Sequence, residues 1–230
     1  MGLKMVFFLK PDAIIRRYVG ARTIKEILSI EGVKPLAFIP LKLDPKFLEE
    51  KHYAEHKGRP YFEWLVRYNS MIPVILMILE ISSEEIIGKI RDLLGPTLVQ
   101  KAVRQAPGSL RGRYGVYGGA NVAHASDSKE SAEKESEIWI EYIKKLGYEL
   151  NEKKAREDAL KYVEKYIDYP IIDNMRYVEE VESYLRGEKS MEEVKKKMVE
   201  LLLKETDEEF RKRVDLLENL AEEILINAKL

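Results

Sequence analysis

Two short apolar runs constrain the fold of this chain more than any other feature. MVFFLK (5–10) is apolar up to its lysine and ends at Pro11, so it predicts a buried strand. PVILMILEI (73–81) is the clearest strand pattern in the sequence. A third stretch, VKPLAFIPLKL (33–43), is interrupted by prolines, which places it near a sheet edge because proline cannot donate a ladder hydrogen bond. These runs predict a sheet at the core of the fold.

Helical patterns separate and follow these strands. Residues 82–95 begin with Ser82 or Ser83 as a cap and end at Gly95, which is typical of a helix. The stretch 96–113 has no periodicity and predicts a loop, and 114–117 predicts a short strand. The remaining helical patterns cover about 19–32, 45–68 and 128–146. The order β-α-β-(αα)-β-α-β-α predicts an α+β fold: a ferredoxin-like (split βαβ), antiparallel four-stranded sheet with helices on one face.

Composition excludes several kinds of site. Cysteine is absent, which excludes disulfides, thiolate chemistry and a cysteine-based zinc site. No apolar run approaches the ~20 residues that a membrane-spanning helix needs. The first residues, MGLKMVFFLKPD, lead straight into a strand pattern and do not resemble a signal peptide. We therefore expect a cytoplasmic chain with no membrane partner.

The net charge of −1 hides an asymmetry along the chain. Residues 1–147 carry 23 lysines and arginines against 18 acidic residues, whereas residues 148–230 carry 16 against 22. The first part can therefore attract phosphorylated ligands, and the second is poorly suited to do so. No basic stripe occurs in the second part, and we expect no nucleic-acid partner. We divide the chain into domains at this change, 1–147 and 148–230.

The segment NVAHASDSKESAEKE (121–135) holds one of only three histidines, His124, among small residues just before a helix start. A core histidine would need apolar neighbours at helical or strand spacing. A neutral imidazole is a competent nucleophile near pH 7. The sequence has no GxxxxGK[ST] or GxGxxG motif, so a P-loop or a Rossmann fingerprint is excluded. His124 is either incidental beside a capped helix or an unhindered nucleophile.

Five ordered blocks of the first part resemble the nucleoside diphosphate kinase family over about residues 5–140. They are FLKPDA (8–13), EKHYAEHKGRPYFEWLVRYNS (50–70), LLGPT (93–97), APGSLRG (106–112) and NVAHASDSKESAEKE (121–135). The resemblance implies transfer of the γ-phosphoryl group of an NTP to an NDP, by ping-pong through a phosphohistidine at His124. It also implies Mg²⁺ carried by the nucleotide phosphates, with no metal held by protein ligands. His52 and His56 are interpreted as surface or hydrogen-bonded residues.

The resemblance also assigns partners to the nucleophile. Glu135 would hold the other imidazole nitrogen and fix the tautomer, although the charge pattern alone favours a solvated helix face. Ser126 would bond near the phosphate or Glu135, and its alternative role is a helix N-cap. Tyr53 would border the phosphate and the histidine.

The family's substrate contacts fall on seven positions of this sequence. Cations and donors would surround the phosphates, because phosphoryl transfer depends mostly on positioning and charge neutralisation. An aromatic ring would stack on any base, which implies broad nucleotide specificity. For Lys10 and Arg111 the alternative is a solvated surface charge, and for Phe62 and Trp64 core packing is favoured. The assigned positions are Arg91, Thr97 and Arg111 at the phosphates, Lys10 and Asn121 at the ribose and phosphate end, and Tyr61 with Leu65 at the base.

Three departures from the family pattern bear on the site and on assembly. Arg113 replaces an acidic residue, and Ala125 replaces the glycine after the histidine. The loop 98–107 looks longer than usual and lacks a proline just after the threonine. Because this loop helps to build the family's trimer and hexamer contacts, the resemblance implies a homo-oligomer but leaves its form open.

The second part reads as helices throughout. Asn151 starts the first helix and Tyr169-Pro170 ends it, Ser190 to Glu193 forms a capping box, and Thr206 opens the last pattern. These helices are predicted to form a small bundle or to pack on the first part, as a structural or oligomerisation element or as a partner-binding module. A non-catalytic nucleotide-binding or scaffold protein is therefore the alternative function. If the first part holds the whole site, truncation near Gly147 should change assembly more than rate.

Overall fold

The computed structural model describes residues 2–168 and 172–230. Its core is a four-stranded sheet in the order β2-β3-β1-β4, in which all neighbouring strands are antiparallel. The strands are β1 (Leu3–Leu9), β2 (Val33–Leu41), β3 (Val74–Ile81) and β4 (Ala123–Ala125). The predicted α+β, ferredoxin-like sheet is confirmed, and the proline-rich strand β2 lies at an edge.

Thirteen helices are described, together with two irregular turns between α3 and α4. The turns are a π-helical turn at Leu48–His52 and a 3₁₀ turn at Ala54–His56. The helices of the first part are α1 (Pro11–Ile15), α2 (Arg17–Leu28), α3 (Pro45–Phe47), α4 (Phe62–Ser70), α5 (Glu85–Leu94), α6 (Val99–Gln105), α7 (Leu110–Tyr114) and α8 (Lys129–Lys145). Those of the second part are α9 (Glu152–Tyr166), α10 (Met175–Leu185), α11 (Met191–Glu205), α12 (Glu208–Arg211) and α13 (Val214–Ala228).

Helices cover both faces of the sheet, so the expectation of helices on one face was wrong. Phe7 of β1 packs into a core that includes side chains of α2 and α5. Phe8 packs on the opposite face of the sheet, with Phe47 of α3 and Trp139 of α8. The reason is visible in the sequence, because β1 and β3 are apolar without alternation. A strand that is apolar on both sides needs cover on both sides.

The segment between α5 and α8 was the least predictable part. Residues 96–113, expected to be a loop, contain α6 and α7, and 114–117 does not form the fourth strand. Ser109 caps α7 by accepting a hydrogen bond from the Gly112 amide (3.1 Å). The fourth strand is Ala-His-Ala, which pairs with β1 so that His124 lies opposite Phe8. Alanines give little strand signal, so this strand is defined by pairing and not by propensity.

The predicted helix starts were mostly correct. Ser128 begins α8 in a capping box with Ser131, close to the predicted start of that helix. Asn151 caps α9, and Ser190 with Glu193 forms the predicted capping box of α11. Neither Ser82 nor Ser83 caps α5, because that helix begins after Glu84 without a side-chain cap. The predicted stop at Tyr169-Pro170 lies outside the described residues.

The second part packs on the first part as well as on itself. One continuous core of buried side chains includes Tyr18 and Trp64 of the first part and Tyr177 and Leu217 of the second. Thr206 follows α11 as its C-cap residue and does not open the next helix, contrary to the prediction from the sequence pattern. Its hydroxyl donates to the Ile15 carbonyl (2.8 Å), and Asp207 caps α12 instead.

A buried carboxylate lies at the boundary between the two parts. Glu205 is 1% exposed, and it accepts hydrogen bonds from the hydroxyls of Tyr18 and Tyr177. The guanidinium of Arg16 lies 3.9 Å from the same carboxylate. In the described part of the chain, no helix combines the length and the apolar character that crossing a membrane requires.

Candidate active site

His124 lies on β4, where the flanking alanines leave its ring accessible. Its Nε2 is 2.9 Å from Oε2 of Glu135, and the side chain is 21% exposed. The ring stacks on Phe8 with centroids 4.9 Å apart. Because Glu135 is an acceptor, Nε2 carries the proton, and Nδ1 of a neutral ring carries the lone pair. Within residues 2–168 and 172–230, no protein group hydrogen-bonds Nδ1.

Glu135 is held in place by two hydrogen bonds. Besides His124, it accepts a bond from the Ser126 hydroxyl (2.8 Å), which itself accepts from the Val6 amide (3.1 Å). Burial alone would raise the pKa of the Glu135 carboxyl, but the bonds to His124 and Ser126 lower it to about 2. The carboxylate therefore stays ionised at neutral pH. The interpretation of Glu135 as a solvated residue is wrong, because its carboxylate is bonded to His124 and Ser126. The interpretation of Ser126 as the N-cap is also wrong, because Ser128 caps α8.

His52 is the residue that the sequence did not place at the site. Its ring meets the His124 ring edge-on, with centroids 4.6 Å apart, and its Nδ1 accepts a hydrogen bond from Trp139 Nε1 (3.1 Å). Burial, and then the neighbouring His124, lower the pKa of His52 to about 3, so its ring is neutral. The signal was indirect: Trp139 follows Glu135 by one helical turn, so both point to the same side of α8.

The site has one group of possible metal ligands. His52, His124 and Glu135 offer ligand atoms that all lie within 4.8 Å of one another. However, Trp139 occupies Nδ1 of His52, which leaves the proton of the neutral ring on Nε2. Since a proton-bearing nitrogen cannot coordinate a cation, this trio fits an orienting role around the histidine better than a metal centre.

Lys10 follows β1 and is buried beside the loop that leads into β4. Its Nζ donates to Oδ1 of Asn121 (2.8 Å) and to the Gly119 carbonyl (3.2 Å). Burial is the main reason that the pKa of Lys10 falls to about 7, and the positive charge of Arg111 lowers it further. The alternative of a simple surface charge is therefore wrong. Asn121 in turn donates to the Thr97 carbonyl (2.7 Å).

Arg111 on α7 is 2% exposed, so it is not a solvated loop arginine. Its guanidinium donates to the carbonyls of Gly95 (2.9 Å), Asn121 (3.2 Å) and Ala123 (2.9 Å). Burial, and then Arg91, lower the pKa of Arg111 to about 10, so it remains a cation. These bonds fix the loop before β4 and leave further N–H donors of the guanidinium for a ligand.

Arg91 lies close to Lys10 and Arg111, and Thr97 is bonded through its carbonyl to Asn121. Arg91 lies in the last turn of α5, and its Nη1 donates weakly to the Ala125 carbonyl (3.4 Å). The side chain of Thr97 is exposed. The charges of Arg111 and Arg91 lower the pKa of Lys10, and Arg91 also lowers the pKa of Arg111, so the fold gathers three positive side chains. Arg91 and Arg111 bind the carbonyls of Ala125 and Ala123, the two residues that flank His124.

A sequence profile described as "Nucleoside diphosphate kinase" matches residues 4–144. The chain belongs to this family. It is 42% identical over 140 residues to the nucleoside diphosphate kinase of Streptomyces coelicolor, covering 61% of this chain and 97% of that one. The nucleoside diphosphate kinase of Pyrococcus furiosus is 38% identical over 162 residues, covering 66% and 94%.

Solved structures of the family show the same fold. The nucleoside diphosphate kinase of Aquifex aeolicus superposes with a TM-score of 0.54 at 32% identity, over 60% of this chain and 95% of that one. That of Halobacterium salinarum, solved in complex with CDP, gives 0.51 at 32% identity, over 60% and 86%. The family profile ends at residue 144, before the second part of the chain begins.

The base end of the kinase site was predicted to involve α4. Tyr61 precedes α4 and Leu65 lies within it, and both are half-buried. The Tyr61 hydroxyl is 3.3 Å from Nδ1 of His56, which makes His56 a hydrogen-bonded residue as expected. Tyr53 is buried, and its hydroxyl accepts from Asn69 (3.1 Å). A contact of Tyr53 with the phosphate stays a prediction.

Val122 connects Asn121 to β4 in a conformation that is rare for a β-branched residue, with φ of 77°. The surrounding structure imposes it. The Val122 amide donates to Oδ2 of Asp12 (3.0 Å), and its carbonyl accepts from the Lys10 amide (2.9 Å). Such a backbone conformation costs on the order of 1–3 kcal/mol of folding free energy, and it is typical of functional sites in which the backbone is held in a fixed geometry.

Two departures from the kinase family pattern are accommodated locally. Arg113 pairs with Glu26 of α2 (2.6 Å), so its charge is already matched by a carboxylate. Ala125 is buried opposite Phe7 in the β1–β4 ladder, so its methyl group lies in the core on the face of β4 opposite to the His124 side chain.

Proposed function

We propose that the chain transfers the γ-phosphoryl group of an NTP to an NDP through a phosphohistidine at His124. The observation that carries this proposal is the bond from His124 Nε2 to Glu135, which leaves the lone pair of the neutral ring on Nδ1, while Arg91 and Arg111 bind the carbonyls of the two flanking alanines. A scaffold protein has no need of that arrangement. The non-catalytic alternative is therefore the weaker one.

The reaction takes place in two balanced steps. Nδ1 of His124 donates its lone pair to the γ-phosphorus, and the bond from that phosphorus to the β,γ-bridging oxygen breaks, so the first NDP leaves with the electron pair. A terminal oxygen of the second NDP then attacks the same phosphorus, and the N–P bonding pair returns to Nδ1. Glu135 accepts the Nε2 proton as a hydrogen bond throughout, which stabilises the positive charge on the phosphorylated ring.

The cations neutralise charge on the transferred group. Lys10, Arg91 and Arg111 would contact the phosphates, with Thr97 as a neutral donor, because phosphoryl transfer is governed by positioning and electrostatics. Mg²⁺ enters as part of the nucleotide substrate. The buried carboxylate of Asp12 is already bonded to Arg16, Tyr68 and the Val122 amide, which fits a cation held by phosphates rather than by the protein.

Base and ribose contacts complete the proposal. Tyr61 would stack on the base with Leu65 beside it, so that purine and pyrimidine nucleotides are both accepted. Asn121 would bond a ribose hydroxyl. The proposal also includes a homo-oligomeric assembly, which light scattering of the purified chain tests. It further includes a cytoplasmic location and a division into domains between residues 147 and 148.

The decisive experiment uses γ-labelled ATP. The wild-type chain should acquire label that is acid-labile and base-stable, as expected for a phosphohistidine, and should pass it to GDP or CDP. His124→Ala is the control and should remain unlabelled. Binding of nucleotide without labelling of the wild-type chain would instead support the non-catalytic alternative.

A further inference from the structure

The last helix of the second part reaches the loop that carries the nucleotide-binding residues. Oδ1 of Asn227 on α13 accepts a hydrogen bond from the Gly119 amide (2.8 Å). The carbonyl of that same glycine accepts from Nζ of Lys10 (3.2 Å), and Asn121 follows two residues later. One residue of the loop therefore connects a side chain of the second part with a cation of the site.

Glu223 fixes the position from which Asn227 acts. Its carbonyl accepts from Nε1 of Trp64 (2.8 Å), and its carboxylate forms a two-pronged pair with Arg67 (2.6 and 3.1 Å). Trp64 and Arg67 both lie on α4, which also carries Leu65. Because Asn227 follows Glu223 by about one helical turn, the anchored helix presents both residues to the same surface.

The loop is enclosed between Trp64 and Asn227 with no spare room. A Cβ on Gly119 would lie 2.7 Å from the Trp64 ring, and one on Gly118 would lie 2.3 Å from Oδ1 of Asn227. Gly118 also has φ of 53°, which favours glycine. Two consecutive glycines therefore allow the loop backbone to approach both side chains, and its position is determined by them.

We propose that Asn227 is a positioning residue for the nucleotide site, acting through Gly119 on Lys10 and Asn121. The inference rests on the proposed function of the first part and adds to it that the second part completes the site. It predicts that the family's ribose and phosphate contacts are held in this chain by a helix that lies outside the family region.

The expected effect follows from which contacts the loop carries. Without its acceptor, the Gly119 amide becomes an unsatisfied donor and the loop relaxes towards solvent. Asn121 would contact the ribose, and that contact is the same before and during transfer. Its loss therefore raises KM more than it lowers kcat. We expect the KM for ADP to rise about tenfold, with kcat lowered less than threefold.

The test compares three variants of the full-length chain. Asn227→Leu removes the acceptor and keeps the branched shape with the same number of side-chain heavy atoms, whereas Asn227→Asp keeps an oxygen acceptor and should restore KM to within about threefold of wild type. Glu222→Gln is the matched control on the same helix, because Glu222 pairs with Lys195 inside the second part (3.0 Å) and should leave both constants unchanged. Kinetics are measured where thermal unfolding shows every variant to be folded, and ADP binding is measured by calorimetry in parallel.

The outcomes separate this inference from the proposed function. A lower melting temperature with unchanged KM and unchanged ADP affinity in Asn227→Leu would show a merely structural contact and overturn the inference. Equal losses in the leucine and aspartate variants would do the same. A wild-type chain that binds ADP but transfers no phosphoryl group refutes the proposed reaction alone, because the effect of Asn227→Leu on ADP affinity then still decides the positioning role.

Discussion

Two groups of cations in this molecule have opposite surroundings, and all of them are buried except Arg17, which is half-buried. At the site, Lys10 and Arg111 form no ion pair with any described residue, and burial lowers the pKa of both. At the boundary with the second part, Arg16 and Arg17 are paired with Glu205, Asp207 and Glu209. Burial also disfavours these two charges, but the carboxylates raise the pKa of both arginines above the ordinary value.

The contrast distinguishes binding from stabilisation. A buried cation without a carboxylate is destabilised until an anion arrives, which is the property that a phosphate-binding group needs. A buried cation with a carboxylate is already neutralised, and removing one partner leaves the other charge exposed to a low dielectric. The first group therefore indicates where a ligand binds, and the second where the two parts of the chain are joined.

The largest expected effect tests the site itself. His124→Ala removes the nucleophile and hence the reaction path, so nucleotide exchange should fall by several orders of magnitude. Nucleotide binding should be largely retained, because the cations and Tyr61 are untouched, and ADP affinity is the control. An alanine variant with more than about a tenth of wild-type activity would contradict the assignment.

The next largest effect tests the boundary. Glu205→Ala leaves the buried hydroxyls of Tyr18 and Tyr177 without their acceptor and leaves Arg16 with Asp12 as its remaining carboxylate. We therefore expect a loss of ~3–5 kcal/mol in the free energy of unfolding. Urea denaturation measures it. Glu182→Ala breaks the more exposed pair with Arg104 and should cost at most about 1 kcal/mol. Equal losses in the two variants would mean that the buried network contributes no more than a surface pair.

A smaller pair of effects separates the two ends of the nucleotide site. Tyr61→Ala should weaken ADP and GDP alike by ~1–3 kcal/mol, as expected for base–aromatic stacking. Arg111→Ala should reduce transfer more than binding, because the charge that it neutralises is greatest in the transition state. Unfolding is checked for Arg111→Ala because its guanidinium also holds three carbonyls. An effect of Tyr61→Ala on only one base would rule out stacking.

The smallest effect concerns pH and the unpaired cation Lys10. Its pKa is lowered to about 7, so the free enzyme carries the charge below that pH and loses it as the pH rises. The value of kcat/KM for ATP, the nucleotide that meets the unphosphorylated enzyme, should therefore fall above pH 7, by up to about tenfold per pH unit. The corresponding fall in kcat should lie at higher pH, because bound phosphate retains the proton on Lys10. In Lys10→Met, this fall of kcat/KM above pH 7 should be absent.

Much of the site could be predicted because its chemistry depends on residue type and spacing. Glu135 and Ser126 were placed beside His124 from the ordered blocks, and the structure brings all three together. His52 was missed because its contact depends on the π-helical turn at Leu48–His52 and on Trp139, which no local pattern encodes. The strand Ala123–Ala125 was missed for a related reason, since alanines acquire strand structure only through pairing with β1.

The docking of the second part could not be predicted from its helical patterns. Amphipathic spacing shows that a face is buried but not against what, and a small bundle satisfies the same pattern. The contacts of Glu205 and Asn227 change the expectation for truncation near Gly147. That variant would remove a buried ion pair and the acceptor of Gly119, so the structure favours a loss of stability and of ADP affinity over the small change in rate expected from sequence.

The bond between Asn227 and Gly119 joins two residues of the same polypeptide. The effective concentration of the supporting helix is therefore set by the chain that tethers it and not by the amount of protein in solution. A support supplied by a neighbouring subunit would be lost by mass action on dilution. For this chain, the specific activity at a fixed nucleotide concentration should stay constant as the enzyme is diluted, even under conditions in which any assembly of several copies has dissociated.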